Sequence, residues 1–202
     1  MFHSPTRNNE RMSRVFQITK PVFKYDYQII PEGEETLYKV KNSPFPRGGT
    51  PDLALLDGPD KTAPILVVCH MPKFSRHFKI GFGDPADPDT IIWEDFIKPK
   101  IGGCERRISV SFASDGSICE TGQGQREEFV WKRTHHVGVD GKKLHYSRLR
   151  NRKLIDERGE VLAIFTFDKT GWLQINVDRG RDFDVMVMMT LLSIIEWMRR
   201  QK

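Results

Sequence analysis

Cysteine is scarce in this chain of 202 residues: Cys69, Cys104 and Cys119 are the whole complement. An odd number with no Cys-x-x-Cys pair argues against a disulfide framework and a structural zinc site, and fits a reducing compartment. Long hydrophobic runs are also few. The one nearly continuous run, residues 185–198 (Val-Met-Val-Met-Met-Thr-Leu-Leu-Ser-Ile-Ile-Glu-Trp-Met), is closer to the roughly 10–14 residues of a buried core helix than to the about 20 that cross a bilayer. Charge of one sign is not in large excess. Against 32 Lys and Arg stand 27 Asp and Glu, a net charge of +5, divided as +1 over residues 1–100 and +4 over residues 101–202. That balance places nucleic acid behind other acidic partners and directs any electrostatic function to the second half.

Catalytic signatures are missing too. There is no Gly-x-Ser-x-Gly, no Walker phosphate loop and no His-Glu-x-x-His, and Gly81-Phe-Gly83 and Gly122-Gln-Gly124 lack the strand-to-helix context of a dinucleotide fingerprint. Asp84, Asp87 and Asp89 depart from EF-hand spacing and sit among prolines that suit a plain turn. His70, His135 and His136 have no partners that the sequence can place. The expectation is a protein that is not an enzyme and holds no metal or cofactor. Residues 1–20 lack the apolar core of a secretory signal and read as a flexible leader, Phe2 stands where N-myristoylation needs glycine, and Arg-Arg-Gln-Lys is not a prenylation box. The reading is therefore cytoplasmic, with peripheral membrane or nuclear placement open and no transmembrane segment.

What the chain does have is strands. Apolar or alternating runs recur at residues 22–30, 36–41, 52–56, 65–70, 74–82, 91–96, 106–113, 128–133, 145–156, 161–167 and 172–177, separated by Pro, Gly and Asp clusters such as Asp57-Gly58, Asp115-Gly116 and Asp140-Gly141. Short connections of this kind imply antiparallel meanders. The last two runs form a hairpin through residues 168–171, with Leu173, Ile175 and Val177 on one buried face and Gln174 and Asn176 on a wet one. The apolar run is a helix that Asp182 or Asp184 can cap and that Arg199, Arg200 and Lys202 complement at its negative end. Its polar exceptions, Thr190, Ser193 and Glu196, make only a narrow stripe, so most of the circumference needs burial. A single domain over residues 21–202 follows: a mainly β, closed antiparallel barrel of about twelve strands around a buried C-terminal helix. A two-sheet sandwich with the helix across one open end is the alternative.

Residues 154–165, Leu-Ile-Asp-Glu-Arg-Gly-Glu-Val-Leu-Ala-Ile-Phe, then the hairpin and the terminal helix, resemble the end of the tubby C-terminal-like superfamily. That superfamily includes tubby-like proteins, LURP-one-related proteins and phospholipid scramblases. With Glu128-Phe-Val-Trp-Lys-Arg133, the ending looks most like uncharacterised fungal single-domain members. The resemblance spans roughly residues 125–200 and implies the same barrel. It also implies phosphoinositide binding in tubby domains and links to calcium and lipids in scramblases, but no family site residue maps onto this chain.

A site must then come from the chain's own charge pattern. Residues 141–155 hold Lys142, Lys143, Arg148, Arg150, Arg152 and Lys153 without one acid. In an extended strand Arg148, Arg150 and Arg152 would share a face at about 6.6–7 Å spacing, a row suited to phosphates, and Lys132 and Arg133 could extend it. The same row is equally a solvated outer wall. Phosphoinositide or another anionic membrane lipid is the first expected partner, a protein partner or nucleic-acid backbone the alternative, with loops 42–51 and 116–126 as further partner surfaces.

Overall fold

The computed structural model describes residues 13–21, 24–33, 35, 37–72, 75–100, 102–140, 142, 151–168 and 170–201. The described residues form thirteen strands, all but β1 and β9 of them on the turn-bounded runs of the sequence: β1 (Arg14–Thr19), β2 (Tyr27–Pro31), β3 (Tyr38–Asn42), β4 (Leu53–Leu56), β5 (Ile65–His70), β6 (Phe78–Phe82) and β7 (Ile92–Phe96). The set continues with β8 (Arg106–Phe112), β9 (Ile118–Cys119), β10 (Gln125–Arg133), β11 (Arg152–Ile155), β12 (Val161–Asp168) and β13 (Thr170–Ile175), and ends in α1 (Arg181–Arg200). All lie in one antiparallel sheet of order β7-β6-β5-β4-β3-β2-β1-β13-β12-β11-β10-β8-β9. The ends of that order meet: Ile97 and Arg107 exchange backbone hydrogen bonds of 2.7 and 2.8 Å, and Arg126 grips Glu94 with two bonds of 2.8 Å. The result is a nearly closed barrel with α1 inside it, which settles the choice against the sandwich.

The interior is filled by alternate residues of every long strand packed on the helix. Phe16, Ile29, Val40, Leu55, Val67, Ile80, Phe96, Ile108, Trp131, Leu154, Phe165 and Leu173 are each at most 4% exposed, and Phe183 to Ser193 are buried without interruption. The polar stripe of the helix is buried as well, and it is satisfied locally or across the core. Trp131 Nε1 donates to Thr190 Oγ1 at 2.9 Å, and the Thr190 hydroxyl donates back to the Met186 carbonyl at 2.7 Å. Ser193 donates to the Thr190 carbonyl. Those bonds remove the penalty that an unpaired hydroxyl would carry in this interior.

Three expectations are corrected. The stretch read as a leader contains β1, which lies between β2 and β13 with Phe16 and Ile18 buried; two inward apolar side chains in six residues are enough for a strand with a neighbour on each side. Asp182 and Asp184 are not caps. Gly180 is the N-cap at φ 87°, and the two carboxylates in the first turn are used in tertiary contacts, Asp182 accepting from Ile118 N–H at 2.9 Å and Asp184 from Arg14 at 2.8 and 2.9 Å. The face of β13 expected to be wet is covered at Gln174, which is 3% exposed beneath residues 137–140, exchanging 2.8 Å bonds with Asp140, while Val139 N–H donates to Thr166. Most of the expected strand 145–156 is not tested, since residues 143–150 lie outside the described residues; Arg152–Ile155 is a strand as expected.

Asp184 makes a pH prediction. Burial pushes its carboxyl up to about 6, against the pull of Arg14 and with help from Asp178. A carboxyl that holds its proton more tightly when folded contributes stability below its ordinary 3.8 that is lost as pH rises through about 6. Denaturant midpoints should therefore fall between about pH 4 and pH 6, and Asp184→Asn should flatten that slope.

Candidate anion site at the basic rim

The barrel has two chemically different rims. The helix begins at one, where the turns 57–61, 83–91, 113–124, 156–160 and 176–182 are dominated by Asp and Glu. Asp84 of this rim caps the Ala86 N–H in a plain turn that leads into the 3-10 turn Pro88–Thr90. The helix ends at the other rim, whose segments 20–21, 24–26, 43–52, 75–77, 97–100 and 102–105 bring Lys24, Arg47, Arg76, Lys98 and Lys100 together with Arg199, against Asp26, Asp52 and Glu105. Tyr25 and Phe45 stand out from this rim at 60% and 81% exposure. The segments that carry them are tied together, since Asn42 Nδ2 at the base of loop 43–52 donates to the Tyr25 carbonyl at 3.2 Å.

Four adjacent strands place a cation at the inward-facing position of this rim. On β7 the inward series runs Phe96, then Lys98; on β8 it is Arg106 before Ile108; on β10 Trp131, then Arg133; on β11 Arg152 before Leu154. Period 2 is simply continued one step past the apolar core. Lys98, Arg106, Arg133 and Arg152, with Gly102, Gly103, Cys104, one acid, Glu105, and the last helical turn at Ile194, Trp197 and Met198, line a cavity of about 140 Å³.

Arg106 and Arg152 are only 4% and 3% exposed. Arg106 lies over the Phe78 ring at 3.6 Å and gives Nη1 to the Arg76 and Phe96 carbonyls at 3.0 and 3.5 Å. Arg152 gives Nη1 to the Cys104 carbonyl at 3.0 Å and Nη2 to Met198 Sδ at 3.3 Å. Neither meets a carboxylate among the described residues, and Arg106 Nη2 and Arg152 Nε have no hydrogen-bond partner. Burial pulls both guanidinium groups down to about 10, the charge of Arg152 adding to the shift of Arg106 and that of Arg133 to the shift of Arg152. Both stay charged at neutral pH. The negative end of the helix and the aromatic faces offset part of the cost of two like charges held out of water, but leave the two donors open.

The expected basic row divides. Arg152 is turned inward and does not stand on the outer wall, because its parity on β11 is that of Leu154. Lys143, Arg148 and Arg150 lie outside the described residues. Lys142 is held on the wall of β13 and β2, 2.7 Å from Glu32 and 3.8 Å above the Trp172 ring. Lys132 and Lys153 are cross-strand neighbours on the outer face, with Glu105 3.6 Å from Lys132. Arg133, opposite Arg152 in the register, joins the inner set at the rim. Reasoning from runs of charge missed Lys98 and Arg106. The signal that could have found them is a basic residue at an even spacing from a buried aromatic or aliphatic one at a strand end.

Comparison with known proteins adds little to this geometry. No protein-family model and no curated protein matches the chain. Among solved structures, a crystal structure of a protein from Arabidopsis thaliana is similar over 90% of this chain and 90% of its own, with a TM-score of 0.48 and 13% identity. No helix among the described residues is long and apolar enough to cross a membrane, and they hold no group of three or more His, Cys, Asp and Glu that could bind a metal ion.

Proposed function

We propose that the chain is a non-enzymatic binding domain that docks its basic rim on anionic phosphate groups at a membrane surface. The observation that carries this reading is the pair Arg106 and Arg152, buried, in no ion pair with a carboxylate among the described residues, each with one buried N–H donor unpaired, and both lining the same cavity. A tetrahedral phosphate oxygen set suits two guanidinium groups better than a planar monoanion does, because it can accept from both at once. Support comes from the surroundings. Exposed Phe45 and Tyr25 on the same rim have the amphipathic or apolar character that seats a protein at the headgroup level, while the acidic opposite rim is repelled from an anionic surface. The resemblance of residues 125–200 to the tubby C-terminal-like superfamily points to the same ligand class.

The test is co-sedimentation with phosphatidylcholine vesicles carrying or lacking a phosphoinositide, run beside a thermal shift with inorganic phosphate. Binding should weaken steeply with salt. An Arg106→Met/Arg152→Met variant should lose at least about tenfold in vesicle affinity and its phosphate shift, yet keep or gain stability, since apolar side chains of similar volume often replace buried charges without loss. Vesicle binding unaltered in that variant would move the function off this rim. Loss of binding only on Arg148→Ala/Arg150→Ala would return it to the wall, and a labelled nucleic acid bound in place of vesicles would change the partner.

A further inference from the structure

Beside the arginine cavity, and separated from it by Met198, a second opening of about 310 Å³ enters the same rim between β1, β12, β13 and the helix. Its walls are Ile18, Phe165, Phe167, Ile195 and Met198, with Gly171 as floor. Gly171 is there for a steric reason. A Cβ at that position would stand 2.8 Å from the Phe165 ring and 3.3 Å from Ile18, so the inward position of β13 next to the rim has no side chain to fill the barrel. The last helical turn does not fill it either: Ile195 and Met198 remain partly exposed, as does Phe167.

At the mouth lies Lys20, one position past the end of β1, where it continues the inward series of Phe16 and Ile18. Its side chain is 18% exposed and its ammonium has no hydrogen-bond partner. The nearest carboxylate among the described residues, Glu196, is 3.9 Å away and already engaged: Tyr27 Oη donates to it at 2.5 Å, Arg199 Nη2 at 3.2 Å and Arg200 Nε at 3.1 Å. Tyr27 and Tyr25 present their ring faces to the ammonium at 4.8 and 5.8 Å, and Arg199 flanks the same opening. An ammonium carries three donors, and here no close acceptor takes any of them.

We infer that this slot binds a small amphipathic monoanion, a carboxylate on an unbranched or compact apolar body, with the carboxylate on Lys20 and the body against Phe165, Phe167, Ile195 and Met198. The volume is at the lower end of the ~300–1,000 Å³ of ligand pockets, and apolar walls with one convergent cation are the usual construction of such a site. Charge narrows the class. Glu196 and Asp26, the carboxylates that face Lys20, oppose a dianion, while a neutral ligand leaves the ammonium unpaired. The inference rests on observations separate from the arginine pair, so either site can fail without the other.

Decanoate is the probe, with 1-decanol and decyl phosphate as comparators, read by calorimetry and by amide shifts of the folded protein. Decanoate should bind more tightly than either comparator. Lys20→Met should weaken decanoate by about tenfold or more and leave 1-decanol nearly unchanged, whereas Ile195→Trp should remove both by filling the slot. Arg106→Met/Arg152→Met should leave decanoate affinity intact. Each variant's melting curve without ligand reports that it is folded. Failure of decanoate to bind the wild-type protein at millimolar concentration, equal binding by Ile195→Trp, or a preference for decyl phosphate that disappears with the arginine pair would each overturn the assignment.

Discussion

Met189→Asp should abolish the cooperative unfolding transition and the dispersed amide spectrum of the domain. Met189 is completely buried at the middle of α1, with the neighbouring helical positions Val185 to Ser193 buried too, so a carboxylate there has no route to water. An unpaired charge in such a place costs more than about 5 kcal/mol unless it takes up a proton, and even the protonated acid would lack a partner. Domains of this size have about 5–15 kcal/mol in total, so the loss is of the order of the whole stability. Met189→Leu is the comparator and should cost less than about 1.5 kcal/mol, since it keeps volume and polarity. A folded Met189→Asp protein with an ordinary melting curve would show that the helix is not the interior post of the barrel.

Glu196→Ala should lower stability by about 3–5 kcal/mol. Glu196 is fully buried near the end of the helix and joins elements far apart in sequence. It accepts from Tyr27 on β2 and from Arg199 and Arg200; Arg200 also pairs with Asp52 and donates to Asn42 Oδ1 and the Ser43 carbonyl at 3.1 Å. Deleting the carboxylate leaves Arg200 and the buried Tyr27 hydroxyl with fewer acceptors. The pH dependence has a definite sign. Burial pulls the Glu196 carboxyl up, but the bonds from Tyr27, Asn42 and Arg200 and the charge of Arg199 outweigh it and hold it below its ordinary 4.5. Its contribution is therefore present above about pH 4.5 and lost as pH falls through the lower folded value, opposite to that of Asp184. Urea titrations from pH 2 to pH 7 should show an acid limb that Glu196→Gln makes shallower.

How much of this was legible in the sequence depended on the range of the interaction. The apolar run at 185–198 and the turn residues between strands are local signals, and they were sufficient for an antiparallel barrel around a helix. The start of the helix was not local. Asp182 and Asp184 have the chemistry of caps, yet Ile118 N–H and Arg14, which lie 64 and 170 residues away, claim them. β1 was hidden because Phe16 and Ile18 are a weak alternation until β2 and β13 are seen on either side. β9, two residues long, has almost no pattern of its own. Gln174 looked solvent-facing because nothing nearby in sequence shows that residues 137–140 fold back over it. For the candidate site, density of charge was the wrong guide. Lys98, Arg106, Arg133 and Arg152 are scattered over four strands, and only the register reveals that they share one inward-facing end.

The place of α1 has a consequence for how the protein forms. β1 finds one of its neighbours, β13, about 160 positions along the chain, and the sheet closes through Ile97 and Arg107 around a helix that follows every strand in sequence. Until α1 is available, the curled sheet would enclose an empty apolar channel. Ring closure and helix docking must then be one late event, entropically costly because so many of its contacts are distant in sequence, and slow for the same reason. A chain stopped before residue 181 should persist as an open, sticky sheet with unpaired edges at β7 and β9, a form that chaperones would hold and that concentration would drive to aggregate.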